Sequence, residues 1–133
     1  MFTELSEETK NGKLAVVSSP VDKAALSKNI KVFFDQGKSD LKQQFNAGLD
    51  GILQTLGQQK ELGVEISGFA SAEGSEEANR ELSNKRAIAV LDYLNHRGVV
   101  RRRIVAKGYG ASKDQQASKE EGRRVEVRIV ELK

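Results

Sequence analysis

Asn79, Ser83 and Arg86 have the clearest capacity for chemistry in this 133-residue chain. They run beside Ala87, Val90, Leu91 and Leu94, which recur at helical spacing. Asn79 and Arg86 therefore share one helical face, about two turns or roughly 10 Å apart. An arginine next to a core stripe either closes a structural salt bridge or clamps a carboxylate with its planar, bidentate fork. The spacing supports both readings equally. Just upstream, GFASAEGS (68–75) separates a strand-like run, Val64 to Ser67, from the helix. Open α/β sheets place ligands at such junctions, where the carboxyl end of a strand meets the amino end of a helix.

Other candidates are weaker. His96, the single histidine, falls in a helix's last turn, where it complements the dipole. With no cysteine and one histidine, a nucleophile–base pair or a zinc site is incomplete, so no enzyme activity, metal or cofactor is expected. Glu73, Glu76, Glu77 and Glu81 read as acids near a helix start. Gly108-Tyr109-Gly110 follows a strand and reads as a tight turn. Every arginine lies at or after Arg80. The run Arg101-Arg102-Arg103 has no aromatic stacking platform beside it, so it reads as a charged entry to a strand and no nucleic-acid partner is expected.

These residues need positioning elements. Ile30, Val32 and Phe34 share one face of a strand over Asn29–Phe34. DQGKSD is a loop, after which Ser39 or Asp40 caps a helix from Leu41 to about Gln58, with Phe45, Leu49, Ile52 and Leu56 as its apolar stripe. Gly48 and Gly51 let that helix lie close to the sheet. A second strand around Val64–Ser67 leads through the loop to a helix capped by Ser75 and stopped at Gly98. A third strand spans Arg103–Lys107, a short helix lies around Ser112–Lys119, and a final strand, Arg124–Leu132, alternates Val125, Val127 and Ile129 inward with Glu126 and Arg128 outward. The short connection before the final strand makes it antiparallel to a neighbour. The order β-α-β-α-β-(α)-β predicts an α+β fold with a mixed four-stranded sheet and helices packed on one side.

The chain is ordinary for one folded domain, with 31% charged and 38% hydrophobic residues. No apolar run is long enough to cross a bilayer. The amino terminus, MFTELSEETK, is acidic and polar rather than a secretory signal, so the chain is either cytoplasmic or a piece of a longer protein. Residues 1–28 read as an extension or linker, with LAVVS (14–18) as a short edge strand. Residues 29–133 form the domain.

From about Asn29 to Lys133 the chain resembles the OmpA-like, peptidoglycan-associating domain, which also occurs in peptidoglycan-associated lipoproteins and flagellar stator proteins. The resemblance rests on VFFDQGKSDL, on Gly68, Gly74, Asn79, Leu82, Ser83, Arg86 and Ala87 in ISGFASAEGS-x-x-x-N-x-x-LS-x-x-RA, on RIVAKGYG, and on RRVEV. It implies non-catalytic, noncovalent binding of peptidoglycan through the diaminopimelate of the stem peptide. It also implies a periplasmic, outer-membrane-associated setting, with attachment through an N-terminal region absent from this chain. Arg86 occupies the position of the family arginine that pairs with a carboxylate. Asn79 matches a polar contact, Ser83 shares its helix, Asp35 lies in a loop bordering the pocket, and Arg123 and Arg124 match the paired basic residues before the last strand.

Two motifs depart from the family pattern. Gly68-Phe69-Ala70-Ser71 replaces Gly-His-Thr-Asp, so Ser71 stands where the family has an aspartate that helps hold the ligand. A hydroxyl accepts a hydrogen bond from an ammonium group but brings no charge. Losing that charge-assisted bond costs about 1.5–3 kcal/mol. Glu73, two residues on, replaces the charge if the loop curls back. Gly122 stands where the family has an asparagine before the paired arginines. These departures leave an alternative: a structural or protein-interaction module of the same fold with weakened or lost peptidoglycan binding.

Overall fold

The computed structural model describes Leu26, residues 28–72, 74–111 and 119–132. Strand β1 is Asn29–Phe33, helix α1 Asn46–Gln58, strand β2 Leu62–Ala70 and helix α2 Glu76–His96; strand β3 is Ile104–Ala111, a one-turn helix α3 Lys119–Gly122, and strand β4 Arg124–Glu131. The four strands form one mixed sheet in the order β1-β4-β2-β3. Strand β4 runs antiparallel to both neighbours, and β2 and β3 are parallel. The expected α+β architecture is therefore the observed one. Apolar alternation fixes the buried face: Val32, Val64, Ile66, Val125, Val127 and Ile129 point inward and pack against Leu49, Ile52 and Leu56 of α1 and Ala87, Val90, Leu91 and Leu94 of α2 in one core. The opposite sheet face carries polar pairs such as Glu65 with Arg128, at 2.8 Å.

Helix α2 matches its sequence signals. The Ser75 hydroxyl accepts the Ala78 amide at 3.0 Å, Glu76 and Glu77 occupy the first turn, and Gly98 follows the last turn with φ of 108°. The first helix begins later than the expected Leu41. A 3-10 turn, Gln43–Phe45, precedes α1, and neither element has a side-chain cap. Ser39 and Asp40 therefore do not cap it. Lys42 is extended, with its ammonium 2.7 Å from Asp35, and Leu41 packs against the core, so this stretch is held by tertiary contacts before the helix starts. Gly48 does lie close to the sheet, since a Cβ there would stand 3.4 Å from Ile30, but Gly51 faces open space.

The larger correction concerns Gly108-Tyr109-Gly110, which is part of β3 and not a turn. Gly68 and Gly108 are register partners on β2 and β3, directly beneath the middle of α2. A Cβ at Gly68 would come within 2.2 Å of the Ser83 carbonyl oxygen, and one at Gly108 within 2.4 Å of the Asn84 amide nitrogen. Bare backbone at both positions lets α2 sit down on the sheet. The Gly108 amide then donates to Asn84 Oδ1 at 2.8 Å and the Gly110 amide to Ser83 Oγ at 2.8 Å, so the helix covers part of the β3 edge. Arg103 is likewise structural. It ends a 3-10 turn, Arg101–Arg103, and its guanidinium donates to the carbonyls of Leu56, Gln59 and Leu62 at 2.8–2.9 Å. Arg101 and Arg102 are exposed. LAVVS and most of the predicted 112–119 helix lie outside the described residues, as does Glu73.

Candidate functional site

The close seating of α2 brings its amino-terminal half against the ends of β1 and β2. There a cavity of about 280 Å³ opens between the β1–α1 loop, the β2–α2 loop and α2. Ala78, Asn79, Leu82 and Arg86 contribute from α2, Ala70 and Ser71 from the end of β2, and Gln36 and Gly37 from the β1–α1 loop. Three of the predicted site residues, Arg86, Asn79 and Ser71, thus line one space.

Arg86 forms the base of the cavity. Its side chain is fully buried, at 0% exposure. Its Nε donates to the Lys38 carbonyl at 2.8 Å, Nη1 to the Phe69 carbonyl at 3.1 Å and Nη2 to the Asp35 carbonyl at 3.0 Å. The Phe34 ring lies 5.4 Å from the guanidinium carbon. One residue on α2 therefore ties the β1–α1 loop to the end of β2. These backbone contacts, and not a structural salt bridge, hold it among the described residues. Among the described residues no carboxylate pairs with Arg86, and backbone oxygens take three of its five N–H groups. A buried cation without an anion is expensive, and burial, reinforced by the Arg123 charge, pushes its pKa down to about 10. Arg86 remains charged at neutral pH.

The other predicted residues are placed differently. The Asp35 carboxylate is 60% exposed and paired with Lys42 at 2.7 Å; this hydrogen bond, with the charges of Lys42, Lys38 and Arg123, holds its pKa below the ordinary carboxylate range. Its neighbours Gln36 and Gly37, not Asp35 itself, reach the cavity. Ser83 is fully buried, donates to the Arg80 carbonyl at 2.8 Å and accepts the Gly110 amide, so its hydroxyl serves the helix–sheet contact. Arg123 is half-buried, and its carbonyl accepts the Phe34 amide at 2.8 Å. Arg124 turns to the open sheet face, where it pairs with Glu126 at 2.6 Å and lies 4.4 Å from the Phe69 ring, which stacks on Tyr109.

Sequence reasoning missed Ala78, Leu82, Gln36 and Gly37 as cavity walls. Ala78, Leu82 and Arg86 recur every four residues, so the helical spacing that found Asn79 and Arg86 also contained this stripe. It also missed that Gly122 abuts Ser71. A Cβ at Gly122 would lie 3.3 Å from Ser71 Cα and 3.6 Å from its Cβ.

The sequence profile of the OmpA family matches residues 33–128. This chain belongs to the OmpA family. It is 38% identical to outer membrane protein P5 of Haemophilus influenzae over 100 residues, which make up 74% of this chain and 28% of P5. It is 35% identical to the peptidoglycan-associated lipoprotein of Rhizobium meliloti over 83 residues, 62% of this chain and 47% of the lipoprotein. The chain thus spans less than half the length of these relatives. Among solved structures, the peptidoglycan-associated lipoprotein of Burkholderia pseudomallei superposes with a TM-score of 0.68 at 28% identity, covering 75% of this chain and 89% of that one. The periplasmic domain of Helicobacter pylori MotB shares the fold, with a TM-score of 0.60 at 19% identity over 77% of this chain and 75% of its own. OmpA-like domains are non-catalytic structural modules, and this is one of them.

Proposed function

We propose that this OmpA-like domain anchors a larger envelope protein to the cell wall by noncovalent binding of peptidoglycan, with a stem-peptide carboxylate seated in the Arg86 cavity. The observation that carries the reading is Arg86 itself: a fully buried guanidinium, unpaired with any acid among the described residues, at the base of an open cavity. Such a site favours an anion, because an incoming carboxylate supplies the charge that burial withheld. Asn79, Ser71 and Gln36 offer neutral hydrogen-bonding groups around it, and Ala78 and Leu82 an apolar wall. Diaminopimelate, which the family resemblance implies, carries such carboxylates. The peptidoglycan-associated lipoproteins among the relatives support the ligand class, and outer membrane protein P5 supports a periplasmic, outer-membrane-associated setting. No helix of the described residues is long and apolar enough to cross a membrane.

Arg86 works in two ways on this reading. Its three backbone bonds set the rim, and its charge sets the sign of the ligand. Direct pairing with a ligand requires the Asp35–Lys38 turn, whose carbonyls it holds, to yield. That occlusion favours a second reading, a module that kept the fold and lost the ligand. Cosedimentation with purified sacculi separates them. Wild type is retained on the first reading, and Asn79→Asp, which places a competing carboxylate in the cavity, is released while staying folded. Equal retention of the two proteins refutes the cavity as the binding site, and no retention of either favours the second reading.

A further inference from the structure

We propose that the cavity selects a carboxylate whose neighbouring nitrogen is acylated and disfavours a free α-amino acid centre. The inference rests on the anchoring reading above and narrows its ligand. Among the described residues that line the cavity, the one charged side chain is that of Arg86. Arg86 is buried at its base, and Arg123 stands near enough to act on Arg86 electrostatically. The polar walls, Gln36, Ser71 and Asn79, are neutral. The nearby acid, Asp35, has its carboxylate turned outward onto Lys42. Gly122 packs directly on Ser71, closing that wall around a hydroxyl.

A carboxylate entering this space meets a complementary cation. An ammonium on the adjacent carbon would lose water, gain only neutral acceptors, and stand beside a like charge. At about 6 Å and an effective dielectric near 20, that repulsion alone opposes binding by roughly a hundredfold, and rim solvation reduces it towards tenfold. An amide nitrogen in the same place donates to Ser71 or Asn79 and brings no charge. Stem-peptide positions with this chemistry include the carboxyl terminus and a diaminopimelate centre whose amine is acylated in a cross-link.

Titration calorimetry with three probes tests this: free diaminopimelate, N,N′-diacetyl-diaminopimelate and N-acetyl-D-alanyl-D-alanine. Wild type is expected to bind at least one acylated probe about tenfold or more tightly than free diaminopimelate. Preference for the diacetyl compound assigns the cross-linked centre, and preference for the dipeptide assigns the terminus. Ser71→Asp, which returns an anion to the wall, is expected to narrow or reverse the ratio. A ratio unchanged in Ser71→Asp overturns the inference, because attraction of anions to the whole protein would then explain it. Equal or tighter wild-type binding of free diaminopimelate also overturns it, and Glu73→Gln then reports whether that side chain supplies the missing charge. If no probe binds at millimolar concentration while sacculi retain the protein, the selection falls and anchoring stands. If sacculi do not retain the protein but the ratio holds, anchoring falls and the selection stands.

Discussion

Arg86→Met separates the two duties assigned to Arg86. Methionine keeps an unbranched apolar stem beside Phe34 but removes the charge and all three bonds to the Lys38, Phe69 and Asp35 carbonyls. Bonds from a charged donor contribute about 1.5–3 kcal/mol each, roughly 4.5–9 kcal/mol in all. Against this stands the relief of a buried cation. A folded-state pKa near 10, well below the ordinary guanidinium value, corresponds to a cost of about 3 kcal/mol. Asp35 and Lys38 lie in an exposed turn, so their freed carbonyls rehydrate and the loss falls toward its lower end. The expected net destabilisation is about 1–3 kcal/mol.

Urea unfolding measures that term, and sacculus cosedimentation of the folded variant measures the other. Retention should be lost in Arg86→Met. Arg86→Lys should lose similar stability, because a single ammonium cannot span three carbonyls, yet keep part of the retention, because the charge remains. Unchanged retention in Arg86→Met would refute the electrostatic role. A stability equal to or above that of the wild type would refute the clamp. Loss of retention in Arg86→Lys as complete as in Arg86→Met would show that the guanidinium's shape, and not its charge, selects the ligand.

Gly108→Ala should destabilise the domain by about 3 kcal/mol in urea unfolding, since its Cβ would lie 2.4 Å from the Asn84 amide nitrogen and would lift α2 from two bonds to β3; a loss under about 1 kcal/mol would contradict the close helix–sheet contact. Retention on sacculi should be flat from about pH 5 to 9, because Arg86 stays charged until about pH 10, and should fall below about pH 4 as the ligand carboxyl protonates. Burial lowers the folded-state pKa of Arg86, so its penalty on stability is present in full below about pH 10 and is relieved only as the pH rises from there towards the ordinary guanidinium value, and retention that declines between pH 6 and 8 would point to a different titrating group.

The fold was legible because apolar alternation in the strands and four-residue recurrence in the helices each fix which face is buried. Helix α2 was legible at both ends, since Ser75 and Gly98 act on their own chain neighbours. Gly108 was misread for the opposite reason. A Gly-x-Gly after a strand has a local meaning, a turn, and a non-local one, bare backbone under a helix. The second depends on Ser83 and Asn84, more than twenty residues upstream. The start of α1 was misplaced by the same logic, because Lys42 is held by Asp35 and not by a cap. Arg86 and Asn79 could be picked out because polar residues beside a core stripe are conspicuous. The partners of Arg86 could not, since a backbone carbonyl has no residue-type signature.

That last point bears on where specificity resides. Because Arg86 holds the Asp35–Lys38 turn through main-chain oxygens, the side chains of that turn can change without loosening the clamp or altering the charge at the cavity base. Discrimination between ligands must then come from the walls that Arg86 does not fix. Ser71 and Gly122, two of the departures from the family pattern, meet in one of those walls, with a Gly122 Cβ 3.3 Å from Ser71 Cα. A side chain at 122 would press on the Ser71 backbone, and a longer acidic side chain at 71 would compete for the space that Gly122 leaves. The two departures are therefore one coupled change of the wall, and a Ser71→Asp, Gly122→Asn double variant should differ in ligand preference from the sum of its single variants. Additivity in probe binding would instead assign the two positions independent roles.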